Sequence, residues 1–472
     1  MTPRHASRLL LLCALLAVSV STPAPAVAAS AAIRLRPTAG PPTTPTRVRG
    51  EGFGSQEAVD LEFDGGTVGS ARTNRSGRFR QTIDVPASAL PGDHVVTAMG
   101  EISGESAQAT FTVRTDWRRF HFDDTNSGFN PYENVIGPSN VGTLTTRWTA
   151  EIGAYNAASP VVVGGVVYGA SYFGWVYGFD ANTGAKVWSA FTHGLIGSEA
   201  PTIAGSSLYI GNLDGKVFAF DLRSGAAIWS VDTQETITTP VAVSNGVVYL
   251  STSNRVYALD ASTGIELWES LKIDPDGGPT VVERLVYVQT LTDIYALDAL
   301  TGVIVWDARP PIYNMSGAVA AGEGLIFNGS SSNQLYAWDE VTGKLAWDSD
   351  AGGNTSGYTP VYADGVVYVA SLNGFTGVSR IHAYDSVTGN EIWEANFGNN
   401  LSAVSSGALA NGVLYFGLYP DKVSAYDATD GTLLWTSPPL GNYASGSPTI
   451  ADGTLYVSTP DGTIFAFGLP RS

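Results

Sequence analysis

The chain reads as an all-β protein: an eight-bladed β-propeller of four-stranded blades preceded by a small β-sandwich. Three observations predict it. The phrase "YGFDANTGAKVW" (Tyr177 to Trp188) recurs as "FAFDLRSGAAIW", "YALDASTGIELW", "YALDALTGVIVW", "YAWDEVTGKLAW", "HAYDSVTGNEIW" and "SAYDATDGTLLW". Its period of about 40 residues is that of a repeat architecture. Each copy is preceded by two further short strands, as in "SPVVVGGVVYGAS" and "TPVYADGVVYVAS", which makes a four-stranded meander per period. No run of 3.6-residue periodicity is long enough for an α-solenoid.

Within each copy the Asp (180, 221, 260, 298, 339, 385, 427) is followed four residues later by Gly and eight later by Trp (188, 229, 268, 306, 347, 393, 435). An Asp accepting backbone N–H bonds, with a Gly at φ > 0, makes a short hairpin loop. The Trp presents an apolar face that its own hairpin cannot bury, so it should dock on a neighbouring repeat. Trp148, in "LTTRWTAEIGAYNAASP", matches the Trp strand but lacks the Asp turn before it. At the other end, "GSPTIADGTLYVSTPDGTIFAFG" supplies three strands and stops before any Trp. The two fragments should complete one blade, with the N-terminal strand outermost, for eight blades in all.

Before the propeller, Arg4, Arg8 and the apolar run Leu9–Val20 followed by "PAPAVAAS" read as a signal peptide over 1–29. The run is too short for a permanent bilayer span, so a secreted or extracytoplasmic chain with no transmembrane segment after cleavage is expected. Cys13, the one cysteine, lies inside that run, so no disulfide supports the fold and the core must. Residues 30–115 hold short alternating segments set off by Gly and Pro, the pattern of a small sandwich. The stretch "TNRSGRFRQTIDVP" resembles the Ig-like modules appended to bacterial surface and secreted proteins. The propeller should then occupy 116–472.

Charge separates the parts. Residues 30–115 carry nine acidic and nine basic residues, whereas 116–472 carry 34 acidic against 14 basic. A propeller this negative repels phosphate backbones and anionic lipid surfaces, which excludes nucleic-acid binding.

The repeat, the lead-in "DWRRFHFDDTNSGFNPYENVIGPSNVGTLTTRW" and the eightfold count together resemble the pyrroloquinoline quinone (PQQ) repeat superfamily, over roughly 116–468. That resemblance implies the propeller, but for activity it implies either a PQQ-dependent dehydrogenase of alcohols or polyols or a cofactor-free scaffold. The dehydrogenases bring two adjacent cysteines over the cofactor, a Ca²⁺ held by loop carboxylates that acts on the quinone carbonyl, and an Asp base. Here no cysteine remains after export, and "ASLNGFTGVSRIHAYD" holds no acid between Ala370 and His382. Glu199 in "GSEAP" is the acid expected among the small residues preceding the inner strands, a candidate cofactor contact. The reading therefore leans to a non-enzyme with no cofactor, and PQQ with Ca²⁺ enters only with the dehydrogenase alternative. The four histidines after export (His94, His121, His193, His382) show no pair at metal-ligand spacing, and there is no Gly-x-Ser-x-Gly elbow.

Loops joining one blade's outer strand to the next inner strand should ring the channel on one face. They repeat an aromatic-plus-amide pairing: Tyr155 with Asn156, Tyr313 with Asn314, and Asn442 with Tyr443, with Asn354, Tyr358, Asn399 and Asn400 nearby. Rings for stacking and amides for hydrogen bonds suit a neutral glycan or a protein segment as partner.

Overall fold

The computed structural model describes residues 30–470 apart from 154, 156–157, 198–199, 312–314, 316, 374–377 and 399–400. The described chain divides into two compact units, one of residues 30–36, 47–83 and 96–109, the other of 37–46, 84–95 and 110–470.

N-terminal residues form two sheets. One has three strands, Ala32–Arg36, Pro45–Glu51 and Phe79–Asp84. The other has five, in the order Ala39–Gly40, Ser106–Val113, Gly92–Gly100, Ala58–Phe63, Gly66–Arg72. The strand Pro45–Glu51 alternates exposed and buried along its length, the period-two signature of a sheet with one wet face.

The rest is a ring of antiparallel sheets. Blade one comprises Val161–Val163, Val166–Ala170, Trp175–Asp180 and Lys186–Phe191, paired in sequence order from the inner to the outer strand. Blades two to seven repeat this, with inner strands at Thr202–Ala204, Ala242–Ser244, Thr280–Val282, Ala320–Gly322, Val361–Ala363 and Ala408–Ala410. Blade eight takes three strands from the C-terminal end (Thr449–Ala451, Thr454–Ser458, Thr463–Gly468), and its outer strand is Thr145–Glu151. Trp148 pairs with Ala466 across that junction. The ring closes as the sequence predicts, by hydrogen bonds between chain segments some 300 residues apart.

Each inner hairpin turns on two residues. Asn245–Gly246, Asp364–Gly365 and Asp452–Gly453 all have φ > 0 at both positions, the geometry that matches strand twist and favours Asn or Asp followed by Gly. Each outer hairpin uses the Asp turn. In blade three Asp260 Oδ1 accepts the N–H and hydroxyl of Thr263 at 2.8 and 2.7 Å. A bulge lies beside the turn, with the register shifting between Ala258 and Leu259, and returns at the same place in the other repeats.

The Trp residues dock on the following blade. The indole N–H of Trp148, Trp188, Trp229, Trp268, Trp306, Trp347 and Trp393 donates to the carbonyl of the residue just after the next turn Asp, at 2.9 to 3.2 Å. The ring covers the turn Gly of that blade. A Cβ on Gly225 would lie 2.6 Å from Trp188 Cε3, and one on Gly302 2.4 Å from Trp268 Cε3. The Gly is required twice, for its φ and for the absence of a side chain.

Candidate functional site

The axis of the propeller is filled from one side by residues 115–130. The Trp117 backbone bridges to Val162 of blade one, and the carbonyls of Arg118, Asp124, Thr125, Ser127 and Gly128 accept N–H bonds from inner strands of blades two, four, five, six and seven. Asn130 Nδ2 donates to Ile450 of blade eight at 2.9 Å, and Phe129–Asn130 runs parallel to Ala408–Ala410. One short segment thus circles the channel by bonding to the strands that line it.

Why this stretch coils so tightly is visible in its residues. Asp123 accepts from the N–H groups and hydroxyls of Thr125 and Ser127. His121, Phe122 and Asn126 all sit at φ > 0. Arg119, nearly buried, donates to Asp124 at 2.8 Å; burial pulls its guanidinium pKa down and the two aspartates push back. His121 is buried with Nε2 unpartnered, and desolvation holds its pKa down to about 3. The imidazole is neutral at physiological pH.

On the opposite side the channel opens into a cup of about 210 Å³. Phe120 contributes to its lining, together with the residues that precede the inner strands: Ser159, Thr239, Ser405, Ser406, Ser445 and Ser447, with Gly277, Gly278, Gly317 and Gly357 between them. The hydroxyls of Thr239 and Ser445 are buried without a partner, so the cup holds hydrogen-bonding capacity the fold does not use. Among the described lining residues there is no Lys, Arg or His, and the ionisable one is Asp276. Partial burial raises its carboxyl pKa, while the residue as a whole stays exposed.

Asp276, in "DPDGGP", is an acid among the small residues before the inner strands besides Glu199. It stands three residues before Pro279, one position further upstream than Glu199 stands from Pro201. Glu199 itself lies outside the described residues, as do Asn156, Tyr313, Asn314, Asn399 and Asn400.

The other expected ligand-face residues divide. Tyr155 is exposed, 68 % of its surface free. Its ring meets those of Tyr172 and Phe173 at centroid distances of 6.5 and 6.0 Å. Beyond them, at the same end of blade one, Trp175 pairs with Phe191 at 5.0 Å and Phe191 with His193 at 4.9 Å. Phe173, Trp175 and Phe191 are all exposed as well. Tyr358, in contrast, is committed to packing: its hydroxyl donates to Ala403 at 2.8 Å and its ring lies against the core. Asn442 accepts the N–H of Tyr443 and Asn354 that of Ser356, both supporting turns. Tyr443 is half-buried. Sequence reading missed Phe173, Trp175 and Phe191. For Phe173 and Trp175 the signal was present in "YFGWVYGF", where blade two has the more polar "NLDGKVFAF".

A family model described as outer membrane protein assembly factor BamB matches residues 140–308, 291–379 and 377–468. Among curated proteins no relative is found. Solved structures share the fold. The quinohemoprotein alcohol dehydrogenase from Comamonas testosteroni is 17 % identical, over 76 % of this chain and 82 % of that one, with a TM-score of 0.64. BamB from Moraxella catarrhalis is 20 % identical over 69 % and 99 %, with a TM-score of 0.56. A europium-containing methanol dehydrogenase is 16 % identical over 75 % and 98 %, at 0.59.

Proposed function

The chain belongs to the PQQ-repeat propeller family described as outer membrane protein assembly factor BamB, and from that premise we propose that it is an extracytoplasmic binding module. Its ligand is a neutral polar chain, a glycan in the first instance, held on the face of the blade-to-blade loops. The observation that carries this reading is the aromatic rim of blade one, Tyr155, Tyr172, Phe173, Trp175 and Phe191, at the side of a hydroxyl-lined cup. Tyr155 stands four residues before Ser159 of the cup wall. Exposed rings grouped in this way are uncommon on a surface that binds nothing. Flat rings stack on the C–H faces of a sugar while hydroxyls and amides take its hydroxyls.

One observation favours the dehydrogenase reading: Asp276 is a carboxylate at the channel mouth whose pKa partial burial raises, as suits a general base. The cofactor does not fit the described residues. PQQ is a tricarboxylate, and the cup presents no cationic side chain to it among those residues, only a further acid. Bringing like charges together in the cup is unfavourable. The binding reading therefore stands first.

The test is a glycan and peptide array on the untagged protein, followed by calorimetry of the best ligand with Tyr155→Ala/Phe173→Ala. Loss of the two stacking rings should weaken binding at least about tenfold, roughly 1.4 kcal/mol, with the melting temperature unchanged. Full binding in the double variant would remove this face from consideration.

A further inference from the structure

Blade six differs from the six other copies of the Asp-turn phrase at one point. Three residues before the turn Asp, where the other copies place Tyr177, Phe218, Tyr257, Tyr295, Tyr336 and Ser424, this blade has His382. Opposite it on the outer strand stands Glu394. The bulge between Ala383 and Tyr384 sets Glu391, rather than Ile392, opposite Tyr384. Two carboxylates three residues apart are thereby brought to the same face as the imidazole. His382 Nδ1 lies 2.7 Å from Glu391 Oε1, and one ligand atom from each of the three residues falls within 4.8 Å of the others.

We propose that His382, Glu391 and Glu394 form a Zn²⁺ site on the outer hairpin of blade six. One imidazole nitrogen and two carboxylate oxygens are a donor set that zinc accepts, with water completing a tetrahedron. Mg²⁺ and Ca²⁺ prefer all-oxygen sites with more ligands. The imidazole is already oriented for it. His382 is 2 % exposed; in the metal-free protein its Nδ1–H donates to Glu391, and its Nε2 lies 2.9 Å from Ser371 Oγ. When zinc takes the place of the Nδ1 proton, an Nε2–H donated to that hydroxyl leaves the Nδ1 lone pair to the ion. A partner on the far nitrogen that fixes ring and tautomer is the usual second layer of a zinc site. The carboxylates are half-open to solvent, which provides the ion's approach. Arg380, 3.6 Å from Glu394 on an exposed side chain, has only to swing outward. Blade three provides a built-in comparison: it has Glu266 and Glu269 at the equivalent positions, but Tyr257 in place of the histidine, and Arg255 pairs with Glu269 at 2.7 Å. Acidity alone does not make the site; the nitrogen ligand sets blade six apart.

The experiment is isothermal titration of ZnCl₂ into the full, untagged, chelator-stripped protein, with MgCl₂ and CaCl₂ in parallel. The expected result is one saturable equivalent of Zn²⁺, none of the other two at the same concentrations, and a melting temperature raised by zinc because the ion ties two strands together. Glu391→Gln and Glu394→Gln sit on exposed positions and should leave the metal-free melting temperature in place while weakening zinc binding at least about tenfold each. His382→Gln should abolish it, and X-ray absorption of the zinc complex should report one nitrogen and otherwise oxygen neighbours. Absence of saturable zinc binding, or binding unchanged in the Glu391→Gln/Glu394→Gln double variant, would overturn the assignment.

Discussion

Trp188 illustrates how much one residue of the repeat supports. Its N–H and the Tyr168 hydroxyl converge on the same Leu222 carbonyl, at 3.0 and 3.4 Å, and its ring seals the Gly225 turn. Gly225→Ala combines a φ of 69° with a clash against that ring, and should cost about 2–4 kcal/mol. Trp148 and Trp268 are equally buried and bonded, so each change to Ala should cost about 3–5 kcal/mol by denaturant titration. A Trp148 variant much milder than its Trp268 counterpart would contradict ring closure through the N-terminal strand. The turn aspartates respond to acid. Hydroxyl hydrogen bonds from the Ser or Thr beside them hold Asp221, Asp260, Asp298, Asp339 and Asp385 below the ordinary carboxylate range. A depressed folded pKa stabilises above the unfolded value and that stabilisation is lost as pH falls through the folded one. Stability should therefore drop below about pH 4, and less in Asp260→Asn than in the parent. These residues were legible in the sequence because their chemistry is local: Asp, Gly and Trp recur at fixed offsets within twelve residues.

At the scale of the element, the segment 115–130 was legible only as a lead-in. Its partners are backbone groups of inner strands throughout the ring, and no spacing rule connects Asn130 to Ile450. The two ends of its Arg119–Asp124 pair differ in exposure, with side chains 6 % and 44 % free. Asp124→Ala leaves the more buried charge unpaired and should destabilise by roughly 1–3 kcal/mol; Arg119→Met should cost less. His121 titrates the element. With a folded pKa of about 3 against an ordinary 6.5, the unfolded chain takes up its proton first as pH falls. The contribution of the neutral, buried imidazole is complete above about pH 6.5 and is lost between there and about 3. Comparing melting temperatures of the parent and His121→Gln across pH 3 to 7 isolates it: the parent curve should be the steeper. Parallel curves would mean that the folded-state pKa of His121 is not lowered. The rim was partly legible for a related reason. Aromatics are visible in a sequence, but whether a ring is exposed, as Tyr155 is, or locked, as Tyr358 is, depends on which neighbouring blade reaches it.

As a whole molecule the propeller is a ring closed by its own N-terminal strand, plugged along one side of its axis by the adjoining segment and open on the other. Removing residues 116–150 deletes plug and closure together, and should abolish the cooperative unfolding transition rather than lower it by a few degrees. On the proposed reading the open side carries the function. It offers hydroxyls, small residues and exposed rings, with Asp276 the acid among the described residues of the cup, on a chain whose residues 116–472 hold 34 acids against 14 bases. That composition favours a neutral ligand over an anionic cofactor. The most direct measurement incubates the purified protein with PQQ and Ca²⁺, removes free cofactor by gel filtration, and records the quinone absorbance that co-elutes. The account predicts none above that of a denatured control, and no dye-linked oxidation of alcohols or polyols. Stoichiometric retention of PQQ with alcohol-dependent dye reduction, lost in Asp276→Asn, would contradict it and make the chain a dehydrogenase.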